Sequence, residues 1–124
     1  MNFKGIIIEE SLENKSILKN NIIKILKTDI QKVSSKDRTP WLKKWTIHTV
    51  EVNENKAMEV AEKISNILDK KHNWYADYKN KEYHFIIFRN KIFCIKRENQ
   101  DEYEEVKKYG INLGIPEYQL DFDK

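Results

Sequence analysis

Residues 72–97, HNWYADYKNKEYHFIIFRNKIFCIKR, place the strongest constraint on the fold of this chain. The stretch is dense in aromatic and β-branched residues, which favour strands, and two polar segments interrupt it, KNKE at 79–82 and RNKI at 89–92. Each segment suits a two-residue hairpin loop, because Asn at the first loop position tolerates a positive φ angle. The stretch therefore predicts a three-stranded antiparallel meander.

Two such loops fix which residues of the meander face each other. With these loops Asp77 lies opposite His84, and His84 lies opposite Arg97. Residues that pair directly share one face of a sheet. Asp77, His84 and Arg97 then form a polar row on one face, next to a row that contains Tyr75.

This polar row has a functional and a structural interpretation. In the functional one, Asp77 orients His84 as a general acid or base, and Arg97 binds an anionic group beside it. In the structural one, the row is a cross-strand ion ladder that stabilises a solvated sheet. Burial of the row would favour the functional interpretation. The sequence leaves open whether the protein is an enzyme.

Three strands are predicted before the meander. The apolar stretch FKGIII at 3–8 is a first strand, and residues 22–33 are a second one, bulged at 25–26 where the alternation breaks. The segment SSKDRTP at 34–40 is a loop, because Ser, Asp and Pro favour turns. Residues 45–52 form the third strand.

Two amphipathic helices follow from apolar residues at helical spacing. The first runs from about residue 55 to about residue 69, and the second covers about 101–109 and ends at Gly110 in the left-handed conformation. The tail, 111–122, is expected to pack on the domain, as an edge strand begun at Pro116. The side chains that the first helix is expected to bury are Val60, Ala61, Ile64 and Leu68.

The element order βββαβββα predicts one α+β domain over residues 1–124. Short connections leave no room for parallel crossovers, so we expect a largely antiparallel sheet with two helices packed on one face. Aromatic residues make up 11% of the chain, more than one small core needs. The second sheet face is then covered by a ligand, by a partner or by another copy of the chain.

Composition narrows the partners and the location. The net charge is +3, but only Arg38, Arg89 and Arg97 are arginines among the 23 basic residues, which argues against a nucleic-acid partner. Cys94 is the only cysteine, so neither an internal disulfide nor a CxxC site can form. No apolar run reaches the length of a signal sequence core or a membrane span, which predicts a cytoplasmic protein.

The remaining candidate residues have structural alternatives. His48 shares a face with Val50, which favours a hydrogen-bonded core histidine over a ligand-binding one. Trp41 and Trp45 would line a ligand site or stack on exposed bases, yet tryptophans at this spacing are more often core or interface anchors. No ligand spacing such as HxxxH and no Gly-rich phosphate loop occurs, so we expect no metal and no cofactor.

Four stretches resemble known proteins: TPWLKKWTIHTVEV, HNWYADYKN, YHFIIFRNKIF and YGINLGIPEYQLDF. They are similar to small conserved uncharacterised bacterial proteins of low-GC Gram-positive organisms, and the resemblance covers most of the chain. It implies a cytoplasmic bacterial protein. It implies no activity, cofactor or residue role, since none is established for that group.

Three functions are compatible with these residues. The first is a non-enzymatic module that binds a small ligand or a protein and forms a homodimer through the aromatic-rich face of the meander. The second is a small enzyme that uses His84 oriented by Asp77, and the third is a weak single-stranded nucleic-acid binder. The residues expected to contact a ligand are Arg97, Tyr75, Trp41, Trp45 and His48.

One alternative to the homodimer needs no second copy. The tail itself would fold back over the meander and act as a lid. The side chains it would contribute are Ile115, Tyr118, Leu120 and Phe122.

Overall fold

A six-stranded antiparallel sheet runs through the protein in a computed structural model that describes residues 1–19, 21–33, 42–120 and 122. Neighbouring strands follow the order β2-β3-β1-β4-β5-β6. The predicted α+β class, antiparallel sheet and order βββαβββα are confirmed, and the predicted loop at 34–40 lies outside the described residues. The elements are β1 (Phe3–Ile8), β2 (Ile23–Lys32), β3 (Lys44–Val52), α1 (Ala57–Ile67), β4 (Tyr75–Lys79), β5 (Tyr83–Phe88), β6 (Lys91–Lys96) and α2 (Gln100–Leu113).

The N-terminal half of the sheet forms as its apolar pattern predicts. The register between β2 and β3 shifts between Ile25 and Lys27, which confirms the bulge expected where the alternation breaks. In β1, Gly5 lies between Val50 on β3 and Tyr78 on β4. A side chain at Gly5 would collide with the backbone of β4, so glycine lets β1 and β4 approach closely.

The two helices pack on opposite faces of the sheet, so the prediction that both lie on one face is wrong. Phe85 and Ile87 belong to the core that contains α1, whereas Ile86 and Phe88 belong to the core that contains Tyr103 of α2. Successive residues of a strand point to opposite faces, and every one of these β5 residues is apolar. Both faces of β5 therefore need a cover. The residues predicted to be buried by the first helix, all of them 0% exposed, are Val60, Ala61, Ile64 and Leu68.

Helix α2 is one turn longer than predicted. It continues through Gly110 and ends at Gly114, which has φ 99° and whose N–H bonds the carbonyls of Gly110 and Ile111. A side chain at Gly110 would collide with Leu120, so glycine at this helical position lets the tail pack closely on α2. No helix in the described ranges is both long and apolar enough to cross a membrane.

The tail folds back over the meander. It forms a short 3₁₀ turn at Glu117–Leu120 and not the predicted edge strand. Tyr118, at 52% exposure, points away from the sheet. The tail residues that join α2 in the second core are Ile115, Leu120 and Phe122.

This cover changes the expected dimer interface. The meander face that we predicted to be open is occupied by α2 and the tail of the same chain, as in the lid alternative. The homodimer stays a prediction, but this face does not offer it an interface. Within the described residues this cover lies over the β4–β6 half of the sheet, and Ile6 on β1 is 37% exposed on the same face.

The first hairpin is shifted by two residues from its predicted register. Asp77 pairs with Ile86, and His84 pairs with Lys79. The reason is Asn80, whose side chain accepts hydrogen bonds from the backbone N–H groups two and three residues later, so it precedes the loop instead of starting it. A two-residue shift preserves the faces, and Asp77 and His84 still share one.

The second hairpin is shifted as well. His84 pairs with Ile95 and not with Arg97. The loop places Asn90, with φ 58°, at its second position and not at its first. The guanidinium of Arg97 donates to the carbonyl oxygen of Asn80 at 3.1 Å, so Arg97 braces the β4–β5 turn.

Truncating Ile64 tests the α1 core. Ile64 is 0% exposed, so Ile64→Ala should lower the free energy of unfolding by about 2–5 kcal/mol through lost burial and a cavity. The same change at Ile111 on α2, which is 46% exposed, should alter it by less than about 0.5 kcal/mol. Urea denaturation followed by tryptophan fluorescence measures both. Equal losses in the two variants would contradict the burial of Ile64.

Candidate functional site

A cleft of about 340 Å³ opens where the cover formed by α2 and the tail stops. Its floor is the sheet face of β1 and β4, one end is closed by β3 and the segment before β4, and one side is closed by the tail. The size lies within the usual range for small-molecule sites, about 300–1,000 Å³. The lining residues are Ile6, Ile8, Trp45, Asn73, Trp74, Tyr75, Asp77, Ile115 and Gln119.

The aromatic wall of the cleft is held in place by contacts of its own. The rings of Trp45 and Trp74 meet edge to face with 5.7 Å between centroids. The ring of Tyr75 packs against that of Phe122 in the tail, with 5.5 Å between centroids. The Tyr75 hydroxyl donates to the carbonyl oxygen of Gln119. Sheet and tail are thereby joined at the cleft, and the wall is formed before any ligand arrives.

Asp77 is the carboxylate of this cleft. It lies on β4, paired with Ile6 on β1 and Ile86 on β5, and its side chain is 23% exposed. Its Oδ2 atom accepts a hydrogen bond from Nε2 of His84 at 2.7 Å. Its Oδ1 atom has no hydrogen-bond partner within the described part of the chain. Asp77 therefore offers one acceptor to a molecule in the cleft.

His84 backs Asp77 from inside the second core. Its residue exposure is 0%, and its Nδ1 atom lies 3.0 Å from the hydroxyl of Tyr103 on α2. A carboxylate can only accept, so Nε2 donates to Asp77, and Nδ1 shares the second hydrogen bond with the Tyr103 hydroxyl. Both ring nitrogens are occupied. We call Asp77, His84 and Tyr103 the buried relay.

The buried relay contains two of the predicted site residues, Asp77 and His84, but His84 is buried and only Asp77 lines the cleft. Asp77 and His84 meet as diagonal neighbours on one face, since the register differs by two residues from the predicted one. His84 is sealed from solvent, so Asp77 is the member that a molecule in the cleft can reach. A catalytic use of the pair stays a prediction. Arg97 is engaged at the β4–β5 turn.

His48 lies on the other face of the sheet, away from the cleft. It pairs with Ile7, whose side chain belongs to the α1 core, and it is 6% exposed. Its Nε2 atom bonds Oε1 of Glu9 at 3.0 Å, and its Nδ1 atom bonds the hydroxyl of Thr28 at 2.9 Å. The interpretation as a hydrogen-bonded core histidine is confirmed.

Of the other predicted contact residues, Trp45 and Tyr75 line the cleft and Trp41 lies outside the described residues. Sequence reasoning missed Trp74 as a wall residue, because strand alternation places it on the face opposite Tyr75. Trp74 precedes β4 in the structure, so the alternation does not apply to it. It also missed the link from His84 to Tyr103, since no pattern in the sequence indicated which face of the sheet the second helix would cover. Among the described residues, no three His, Cys, Asp or Glu side chains come together as a metal site.

Removing the Tyr103 hydroxyl tests the buried relay. Tyr103→Phe should lower the free energy of unfolding by about 1–3 kcal/mol, because Nδ1 of His84 loses its partner in a buried place. Tyr109→Phe removes a hydroxyl from the same helix that makes no hydrogen bond within the described residues, and it should change stability by less than about 0.5 kcal/mol. Urea denaturation compares them. Indistinguishable midpoints would show that the Tyr103 contact contributes nothing.

Glu9 supplies a second test, through pH. The hydrogen bond from His48, assisted by the charge of Lys15, lowers the pKa of the Glu9 carboxyl despite partial burial. A lowered pKa in the native state stabilises the protein above the unfolded-state pKa, and this contribution is lost as the pH falls through the native value. Between about pH 5 and pH 3 the parent should therefore lose stability more steeply than Glu9→Gln. Parallel urea titration curves across that range would refute the coupling.

No protein-family model, no curated protein and no solved structure matches this chain. No residue role can therefore be transferred from a relative, and the likeness to small bacterial proteins stays an expectation. What the chain does has to be inferred from the cleft, its aromatic wall and the carboxylate of Asp77.

Proposed function

We propose that the protein is a binding module for a small ligand with an apolar, ring-sized body and a positively charged, hydrogen-bond-donating head. The observation that carries this proposal is the position of Asp77 in the cleft. Its Oδ2 atom accepts a hydrogen bond from His84 Nε2 at 2.7 Å, which leaves its Oδ1 atom to accept one from a ligand. The chemical class that fits is an aromatic or aliphatic amine.

The walls support the apolar part of the ligand. Ile6 and Ile8 form the floor, while Trp45, Trp74 and Tyr75 supply aromatic surface. Apolar surfaces such as these gain about 25 cal/mol for each Å² removed from water. An aromatic ring placed among them would also make edge-to-face contacts of the kind that already join the two tryptophans.

The carboxylate supports the charge of the head. An ionised carboxylate accepts hydrogen bonds and donates none, so the group that meets Oδ1 must be a donor. A ligand that covered Asp77 without donating to it would leave a desolvated carboxylate oxygen unpaired, which is unfavourable. Asn73 and Gln119, the other polar residues of the wall, donate to protein oxygens, to Leu113 and to Tyr118 respectively.

An enzyme that uses the same cleft is the second candidate. The observation that favours it is the buried relay, which orients Asp77 and connects its carboxylate through His84 to the hydroxyl of Tyr103. Asp77 would then be the base that contacts the substrate, with His84 and Tyr103 as positioning residues. The nucleic-acid alternative gains no support from Trp45, because that ring is 7% exposed and packs on Trp74.

Titration with three matched probes tests the binding proposal. We expect 2-phenylethylamine to shift the indole N–H signals of Trp45 and Trp74 in NMR spectra and to bind more tightly than 2-phenylethanol or 3-phenylpropanoate. A hydrogen bond to a charged group contributes about 1.5–3 kcal/mol, so the amine should bind about tenfold to a hundredfold more tightly than the alcohol. Turnover of a probe would favour the enzyme.

Two variants decide whether Asp77 is the anchor. Asp77→Asn keeps the shape and an acceptor for His84 but removes the charge, so it should abolish the preference for the amine. Glu105→Gln removes one negative charge from the exposed surface of α2 and should leave the preference intact. Equal affinity for amine and alcohol in the parent, or an unchanged preference in Asp77→Asn, would contradict the proposal.

A further inference from the structure

A second cluster of polar side chains lies on the sheet face opposite the cleft, and His48 is at its centre. The hydroxyl of Thr28 lies 2.9 Å from Nδ1 of His48, and Oε1 of Glu9 lies 3.0 Å from Nε2. A hydroxyl within hydrogen-bond reach of a histidine that a carboxylate orients is the arrangement that activates serine and threonine nucleophiles. We call Thr28, His48 and Glu9 the edge triad.

Three elements of the fold bring the edge triad together. Thr28 on β2 and His48 on β3 are direct partners in the antiparallel ladder, so their side chains share a face. Glu9 belongs to the 3₁₀ turn that follows β1, and Nζ of Lys15 lies 3.6 Å from its Oε2 atom. The pairing of two strands therefore holds the hydroxyl of Thr28 against the ring of His48 before a substrate arrives.

The exposure of the three residues differs in the way that a nucleophile and its base require. His48 is 6% exposed, and the side chain of Glu9 is 30% exposed. Thr28 is exposed on the terminal strand of the sheet. A substrate can therefore reach the Thr28 hydroxyl while the ring behind it stays shielded from solvent.

Glu9 supplies the negative charge that the base needs. The hydrogen bond from His48 lowers the pKa of the Glu9 carboxyl, so Glu9 is ionised at neutral pH. Because a carboxylate only accepts, Nε2 of His48 donates to Glu9, and whenever the ring is neutral Nδ1 is left to accept from the Thr28 hydroxyl. The carboxylate also stabilises the imidazolium that forms when Nδ1 takes the hydroxyl proton.

We propose that the edge triad is an acyl-transfer site, at which the Thr28 hydroxyl takes an acyl group from an ester. The Oγ1 atom of Thr28 forms a bond to the carbonyl carbon of the ester while its proton moves to Nδ1 of His48. The bond from that carbon to the alcohol oxygen then breaks, and the alcohol leaves with the same proton. This site lies on the opposite face from the cleft, so it does not depend on the proposed amine ligand.

The terminal position of β2 supplies hydrogen-bond donors for this reaction. Alternate residues of a strand direct their backbone N–H groups to one edge, and no strand pairs with the outer edge of β2 in the described part of the chain. These N–H groups are available to the carbonyl oxygen of the ester as it becomes negative. Backbone donors of this kind stabilise the tetrahedral intermediate of acyl transfer.

Acetylation by p-nitrophenyl acetate tests the site. Peptide mass spectrometry after acid quenching distinguishes an ester at Thr28 from amides on surface lysines. General-base assistance accelerates a reaction about a hundredfold or more, so acetylation should be faster at Thr28 than at Thr49 by a factor of about a hundred. Thr49 is the matched control, because it follows His48 in β3 and its side chain points to the other face.

Two variants connect the reaction to the edge triad. His48→Gln removes the base, and Glu9→Gln keeps an acceptor for Nε2 but removes the charge, so each should slow the acetylation of Thr28 about tenfold or more. Circular dichroism and thermal melting check that both variants fold. Equal acetylation of Thr28 and Thr49 in the parent, or an unchanged rate at Thr28 in the Glu9→Gln variant, would overturn the proposal.

Discussion

The architecture depends on the burial of β5 on both of its faces. Five consecutive residues of this strand are buried, and they alternate between two separate cores. An antiparallel sheet with one solvent-exposed face needs a helical layer only on its other face, whereas a strand that is apolar on both faces, such as β5, needs a layer on each. Helix α1 supplies the first layer, and α2 with the tail supplies the second. The second layer is too small to reach β1, and the cleft lies at its margin.

The one polar side chain of β5 ties the cleft to this second layer. His84 would be an unfavourable residue in an apolar core if either nitrogen lacked a partner, since an unsatisfied buried group costs about 1–3 kcal/mol. Asp77 and Tyr103 satisfy one nitrogen each. The hydrogen bond from His84 holds the Asp77 carboxylate by its Oδ2 atom, at the edge of the cleft that Asp77 lines. The packing of α2 thus determines the geometry of a group that lies at the surface.

Local patterns in the sequence predicted the elements well and their arrangement less well. The bulge in β2 and the buried face of α1 follow from side-chain alternation and helical spacing, which depend on neighbouring residues only. The hairpin registers depended on how each Asn is used. The side chain of Asn80 accepts hydrogen bonds from backbone N–H groups, whereas Asn90 adopts a positive φ angle. The residue type alone does not distinguish these two uses.

Asp77 and His84 are in contact although the first hairpin register was predicted wrongly, because that register is shifted by an even number of residues. An even shift exchanges a direct neighbour for a diagonal one on the same face, and long polar side chains still reach each other. Arg97 was predicted to lie opposite His84, but the shifted register places it beside the β4–β5 turn, where it binds the Asn80 carbonyl. Local sequence patterns could not predict where α2 packs, because its position depends on which face of the assembled sheet is still uncovered.

The cleft is lined by the sheet and the segment before β4 on one side and by the tail on the other. Trp45 and Trp74 pack on each other and are each 7% exposed, so ordering them costs a ligand little entropy. Ile115 and Gln119 belong to the tail, which is held by the Tyr75 hydroxyl and by the burial of Leu120 and Phe122. Short tails held by side chains open at lower free energy than a sheet does. A ligand of the proposed kind would contact sheet and tail together, so its binding would stabilise the closed tail by the difference between its affinities for the closed and open forms.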